Sequence, residues 1–312
     1  MRDLAALPKA HLHVHLESAI RPSTLAELGF ASDTTEFDGF RSFADHNSRV
    51  RRRLTRPEHF TRIAAEFCED QAAQGVRYGE VTFTAAAHGE RLGDPDMPLA
   101  AVIEGLAPEF SLILDHSRRR SPERFAKTLE LARKNDRVVA VGMAGEERHS
   151  MAPFAELLDA ARDAGVRLVH HAGEDAGPDS IAEALDLGHA ARIGHGIRCL
   201  ESPDLVARIR AEGVALEVCP SSNVGLGLVP SWPEHPLPRL VDAGLRVTVN
   251  TDVPVSVGTD LVTEYERIRE VFGYDDEALA ALARAGVDAS FASDAAKAAL
   301  RAGIAGWLAL GP

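Results

Sequence analysis

Cysteine is scarce in this chain. There are three, Cys68, Cys199 and Cys219, far apart and odd in number. That pattern excludes a disulfide framework and, with no C-x-x-C pair, a thiolate zinc site. It points to a reducing cytoplasm. Long apolar runs are missing too: no segment is apolar enough to span a bilayer, and the opening Met-Arg-Asp-Leu lacks the apolar stretch of a signal peptide. The expectation is a cytoplasmic protein with no membrane partner. Positive charge is outnumbered: 34 Lys and Arg against 47 Asp and Glu leave a formal net charge of -13. Such a surface argues against nucleic acid as a partner, because phosphate backbones recruit basic faces. Two basic runs, Arg49-Val-Arg-Arg-Arg and Arg118-Arg-Arg, are short and read as solvated faces. No Gly-x-Gly-x-x-Gly follows the first strand-like segment, so a dinucleotide fold has little support.

What is present is an alternation. The 312 residues, 45% of them hydrophobic, suffice for a large core. Short β-rich apolar segments recur at His11–Leu16, Val76–Thr84, Phe110–His116, Val138–Met143, Arg167–His171, Arg192–His195, Ala215–Cys219 and Arg246–Asn250. Apolar residues at helical spacing lie between them, at Arg124–Lys134, Phe154–Ala164, Ile181–Gly188, Leu205–Glu212 and Pro238–Ala243. Gly165, Gly188, Gly213 and Gly244 stand where helices end and strands begin. Strands alternating with helices over this length predict an α/β fold, a (β/α)8 TIM barrel, spanning residues 1–312 as a single domain. A doubly wound open sheet is the alternative. The stretch from Gly29 to Pro57 reads as a helical insertion after strand 1. The alanine-rich tail beyond Asp260 reads as extra C-terminal helices.

The densest chemistry lies in Ala10-His-Leu-His-Val-His-Leu. On a strand, His11, His13 and His15 all point one way, and two imidazoles at i and i+2 can share a metal. Spacing alone leaves the three equivalent. In a barrel, active sites sit at the C-terminal ends of the strands, and polar residues gather there: His13, His15 and Glu17; His170, His171 and Glu174; His195 between two glycines; Asn250-Thr-Asp252. His170 and His171 are adjacent, so at most one enters the mouth. Together these supply three imidazoles, a carboxylate and an acid/base pair, the parts of a mononuclear metal site with its own proton-transfer groups.

At these residues the chain resembles the adenosine deaminase family of the amidohydrolase superfamily. The matching segments are Pro8-Lys-Ala-His-Leu-His-Val-His-Leu-Glu, His171-Ala-Gly-Glu, Arg192-Ile-Gly-His-Gly, Cys219-Pro-Ser-Ser-Asn and Asn250-Thr-Asp, in the family's order and across most of the chain. The resemblance implies one zinc ion per chain bound by His13, His15, His171 and Asp252, with His11 outside the ligand set. It implies Glu174 as the proton donor to a ring nitrogen and His195 as the residue that orients and deprotonates the attacking water. Gly145 aligns with a glycine whose N–H touches a purine, and Glu17 with an acidic residue near the ribose hydroxyls.

Three positions depart from the family pattern. Val253 stands where a second aspartate engages the purine N7, Thr82 where adenosine-specific members carry an arginine, and Ser18 where glycine is usual. The expected activity is therefore hydrolytic, zinc-dependent deamination of an aminated purine-like base or modified nucleoside whose recognition does not use the N7 contact. A 5'-modified adenosine such as aminodeoxyfutalosine, a 7-deazapurine and a non-purine are candidates. The alternatives are a non-deaminating amidohydrolase and a catalytically silent nucleoside-binding protein. Oligomeric state is not legible.

Overall fold

The computed structural model of the chain describes residues 1–30, 37 and 39–310. Eight parallel strands follow one another in sequence order around one sheet: β1 (Lys9–His11), β2 (Val76–Phe83), β3 (Phe110–Ser117), β4 (Val138–Ala144), β5 (Leu168–Ala172), β6 (Arg192–His195), β7 (Ala215–Val218) and β8 (Arg246–Val249). With the alternating helices this is the expected (β/α)8 barrel rather than an open doubly wound sheet. Helices begin where proline can take the first position, at Pro57, Pro122, Pro178 and Pro203, because the missing N–H has no partner there anyway. Gly165, Gly213 and Gly244 take the left-handed conformation after helices, with φ of 76°, 67° and 72°. Gly188 has a different reason to be glycine: a Cβ there would lie 2.4 Å from the Ala184 carbonyl and 2.8 Å from the His170 ring.

The first strand is shorter than the sequence suggests. It stops at His11, so the histidines do not alternate along one strand face. Beyond His11 the chain changes partners. Asn250 Oδ1 accepts the N–H groups of Leu12 (2.8 Å) and His13 (3.1 Å). Asp252 N–H donates to the His13 carbonyl, His15 N–H to the Asp252 carbonyl and Thr82 N–H to the Val14 carbonyl. The bonds from Asn250 and Asp252 join the segment after β1 to the segment after β8, where no regular ladder runs, and the Thr82 bond joins it to β2. They also part the histidines: His11 Nδ1 faces Gln71 at 2.6 Å on the helix Pro57–Ala73, and its Nε2 faces Thr251.

Within the Gly29–Pro57 insertion a helix runs over Gly39–Arg51; the insertion's residues 31–36 and 38 lie outside the described residues. Phe43 of this helix is buried in a small cluster with Leu226 and Val253. After Asp260 come the helices Leu261–Phe272, Asp276–Ala289 and Asp294–Ala309, whose N-caps Asp260, Asp275 and Ser293 each accept a backbone N–H. Among the described residues no helix is long and apolar enough to cross a membrane.

Candidate active site

Four side chains, two from the segment after β1, one from β5 and one from just beyond β8, converge at the mouth. One donor atom from each of His13, His15, His171 and Asp252 lies within 4.8 Å of the others. His15 Nε2 and His171 Nε2 are 3.2 Å apart. Asp252 Oδ1 is 3.2 Å from His15 Nε2 and 3.4 Å from His13 Nε2. His13 Nε2 is buried without a hydrogen-bond partner among the described residues. Imidazole nitrogens turned toward one another and toward a carboxylate are satisfied together by one divalent cation, and three His with one Asp is a donor set that zinc accepts. His170, by contrast, turns away, its ring held by Met143 N–H and the Gly188 carbonyl.

A buried charge network holds the His13 ring. His13 Nδ1 lies 2.9 Å from Glu217 Oε2 on β7, which leaves Nε2 to face the other donors. Glu217 also accepts from Arg192 on β6, and Arg192 reaches Glu80 on β2 and sits 4.0 Å above the Phe291 ring. Gly194 makes the approach possible: a Cβ there would come within 2.9 Å of His13 Cε1. Asp252 is oriented by Ser222 Oγ, which donates to Oδ2 at 2.5 Å. Although burial opposes its charge, the His13 and His15 rings hold Asp252 well below the usual carboxylate range.

The proton-transfer side faces this quartet. Glu174 is buried, with Oε1 3.5 Å from His195 Nε2. Burial first, then the Asp252 and Glu147 carboxylates, raise the Glu174 pKa well above the ordinary value, which favours its protonated form. Burial lowers the His195 pKa to about 4, with the neighbouring His13 acting in the same direction. Its tautomer follows from a relay. Leu237 N–H donates to His235 Nδ1, so His235 Nε2 carries the proton facing Asn223 Oδ1; Asn223 Nδ2 then donates to His195 Nδ1. Neutral His195 therefore carries its proton on Nε2. That fits orientation of a water and does not fit its deprotonation, which needs a free lone pair there.

His195 and Asp252 are two of three non-glycine residues with positive φ among the described residues, at 62° and 58°. Strain of this kind, of order 1–3 kcal/mol each, persists where the surroundings over-determine a side chain's direction.

A cavity of about 470 Å³ opens above the quartet. Glu17, Gly145, Glu174 and Val253 line it, and Ser18 and Thr82 are not among its lining residues. Thr82 backbone bonds Val14, and the Ser18 hydroxyl is buried without a hydrogen-bond partner among the described residues. Glu17 is tied to Thr84 and to His88 Nε2. Sequence reasoning missed Thr84 and Asp115, which line the cavity, and the supporting residues Glu147, Glu217, Ser222 and Asn223. The signal for Ser222 and Asn223 was there: both lie in the Cys219-Pro-Ser-Ser-Asn segment just beyond β7. Arg118, read as part of a solvated run, is buried and donates to the His171 carbonyl.

A (β/α)8 barrel with a His/Asp quartet able to hold a metal ion and a buried glutamate beside it fits a hydrolase of the metal-dependent type. The family model described as adenosine deaminase matches residues 8–307. A curated adenine deaminase from Rhizobium rhizogenes is 38% identical over 95% of this chain and 98% of its own length. The crystal structure of adenine deaminase from Arthrobacter aurescens superposes with a TM-score of 0.92 at 32% identity, covering 97% of this chain and 99% of that one. An amidohydrolase from Burkholderia ambifaria with bound zinc gives a TM-score of 0.87 at 28% identity, with 97% and 91% covered. The chain belongs to the adenosine deaminase family and is a hydrolytic deaminase.

Proposed function

We propose that this enzyme removes the exocyclic amino group of an aminated purine or purine nucleoside as ammonia, with one zinc ion held by His13, His15, His171 and Asp252, and that residues 1–312 act as one domain. The free thiols Cys68, Cys199 and Cys219 support a cytoplasmic setting. One observation carries the reading: a buried glutamate, Glu174, lines the same cavity as His15, His171 and Asp252 of the histidine–aspartate quartet and lies 3.5 Å from His195. Simple amide hydrolysis has little use for an acid placed to protonate a ring nitrogen.

When bound, zinc lowers the pKa of water to about 7 and so supplies a nucleophile near neutral pH. The chain's own groups do the rest. Glu174 gives its proton to the ring nitrogen beside the amino-bearing carbon, which makes that carbon electrophilic. His195, through its Nε2–H, orients the attacking oxygen. Asp252, locked by Ser222, keeps a fixed negative charge beside the reacting centre. Gly145, with φ of 90°, places its backbone at the cavity wall, and Glu17 marks the side where a sugar would lie. The balance is one water consumed, one ammonia released and one oxygen gained by the ring.

Val253 is 1% exposed and packs with Phe43 and Leu226. The wall beside Asp252 is thus apolar, which supports recognition without a charged partner at N7. Ammonia release across adenine, adenosine, modified adenosines and pterins tests the reading. Turnover of an aminopurine, abolished by chelation and restored by zinc, is the expected result; hydrolysis of none of the panel by zinc-loaded protein overturns it.

A further inference from the structure

The two basic runs have no part in the chemistry above, yet both reach its cavity. Arg51 closes the Gly39–Arg51 helix, and Arg119 and Arg120 follow β3; all three line the cavity, as does Arg124 from the next helix. A side branch continues outward between Arg51, Arg120, Arg124 and Lys127, whose lining carboxylates among the described residues are Glu90 and Asp115. Four cations thus face two acids, on a protein with a formal net charge of -13. Glu90 is shared, 2.6 Å from Arg124 and 3.3 Å from Arg120. Against the effect of burial, the Arg51 charge acts through space on the Glu17 and Asp115 carboxylates to lower the pKa of each. The branch is continuous with the main cavity through Arg51, Thr84, Ser117 and Arg120. The volume of the main cavity alone falls in the range that holds drug-sized ligands, more than a bare bicyclic base fills.

We propose that the substrate carries an anionic substituent, a phosphate or a carboxylate, bound by Arg51, Arg120 and Arg124 at the outer end of the cavity. The proposal rests on the deaminase reading for the identity of the inner group, and its own chemistry is separate. Guanidinium pairs grip such anions bidentately, and a basic branch on an acidic protein draws them past a surface that otherwise repels them.

The test measures binding first, so that it does not depend on turnover. Calorimetry compares inosine with inosine 5'-phosphate and with inosine 5'-carboxylate on zinc-loaded protein. At least tenfold tighter binding of one anion over inosine is expected, shrinking as salt is raised. The double variant Arg120→Ala/Arg124→Ala, whose side chains are 41% and 47% exposed, is expected to lose most of that gain while keeping its melting temperature. Glu90→Gln, which frees both guanidiniums, is expected to increase it. Preference for the phosphate or for the carboxylate assigns the substituent. The corresponding adenosine series then reports kcat/KM, and the charged-to-neutral ratio is expected to fall at least tenfold in the double variant. Equal binding of all three ligands overturns the proposal even if adenosine is deaminated. Preference for an anion without turnover of any of the series, or of the aminopurine and pterin panel, supports the anion site and overturns the deaminase reading.

Discussion

The Glu147 carboxylate accepts the backbone N–H of Glu174 at 2.8 Å, and with it those of Gly173 at 2.7 Å and Asp175 at 3.0 Å. Three successive amides on one buried carboxylate fix the loop that carries the proton donor. Its charge also acts through space, helping to raise the Glu174 pKa. Glu147→Gln removes the charge and keeps one acceptor oxygen, enough for the Glu174 and Asp175 amides that share Oε1, while the Gly173 N–H loses its acceptor. The Glu174 pKa then falls. Because Glu174 must be protonated to act, the activity lost as pH rises is lost at a lower pH than in the wild type. The pH profile of kcat checks this, and an unmoved alkaline limb contradicts it.

Glu174→Gln keeps the shape of the donor and removes its proton. General acid catalysis contributes on the order of 10²–10⁴ in rate, and a loss of that size in kcat is expected with zinc content unchanged. A variant retaining a tenth or more of wild-type kcat would assign the ring protonation to another group.

Glu217 fixes the His13 ring from behind. Partners of this kind alter metal affinity by about 10–100-fold when replaced. Glu217→Gln is expected to lose zinc that much more readily to a competing chelator. Wild-type affinity in the variant would show that Arg192 and Gly194 suffice to hold the ring.

Asp115 is buried with Oδ1 unpartnered among the described residues. Burial foremost raises its pKa from 3.8 to about 6; the nearby His15 and Arg51 oppose the shift and Glu17 adds to it. A carboxyl raised in the folded state costs nothing below the unfolded pKa and costs most above the folded one. Asp115→Asn is therefore expected to stabilise the metal-free protein at pH 8, by at most about 3 kcal/mol, and to have little effect near pH 4. Thermal melts at the two pH values decide it; equal shifts at both would remove titration as the cause.

With Val253 forming an apolar wall beside Asp252, exchange of the purine N7 for carbon removes no hydrogen bond to that side chain. A lost neutral hydrogen bond is worth about 0.5–1.5 kcal/mol. The 7-deaza analogue of any accepted substrate is expected to react with kcat/KM within about threefold of the parent; a drop beyond about tenfold would place another donor at N7.

The barrel was legible because each of β2 to β8 is a short apolar run between helical patterns, and those runs became strands with ends within a residue of expectation. The end of β1 was not, because it depends on the Asn250 side chain, about 240 residues away, replacing a strand partner. His13, His15, His171, Glu174 and Asp252 could be picked out by type and motif. Glu147, Glu217 and Asn223 could not, since a carboxylate or amide acts there only through distant groups that folding brings to it. The arginine runs misled for the same reason. Along the sequence they are charge beside charge, and only the closure of the barrel turns Arg51 and Arg120 toward one cavity.

Phe43, which packs on Val253, and Arg51, which lines the basic branch, belong to the same short helix between the first two strands. The hydrolytic apparatus is written into the barrel strands, while much of what decides which molecule enters is written into that one passage. Natural variation or deliberate exchange confined to it can redirect the enzyme's diet without touching its reaction, and relatives that share every ligand of the quartet can differ entirely in what they consume.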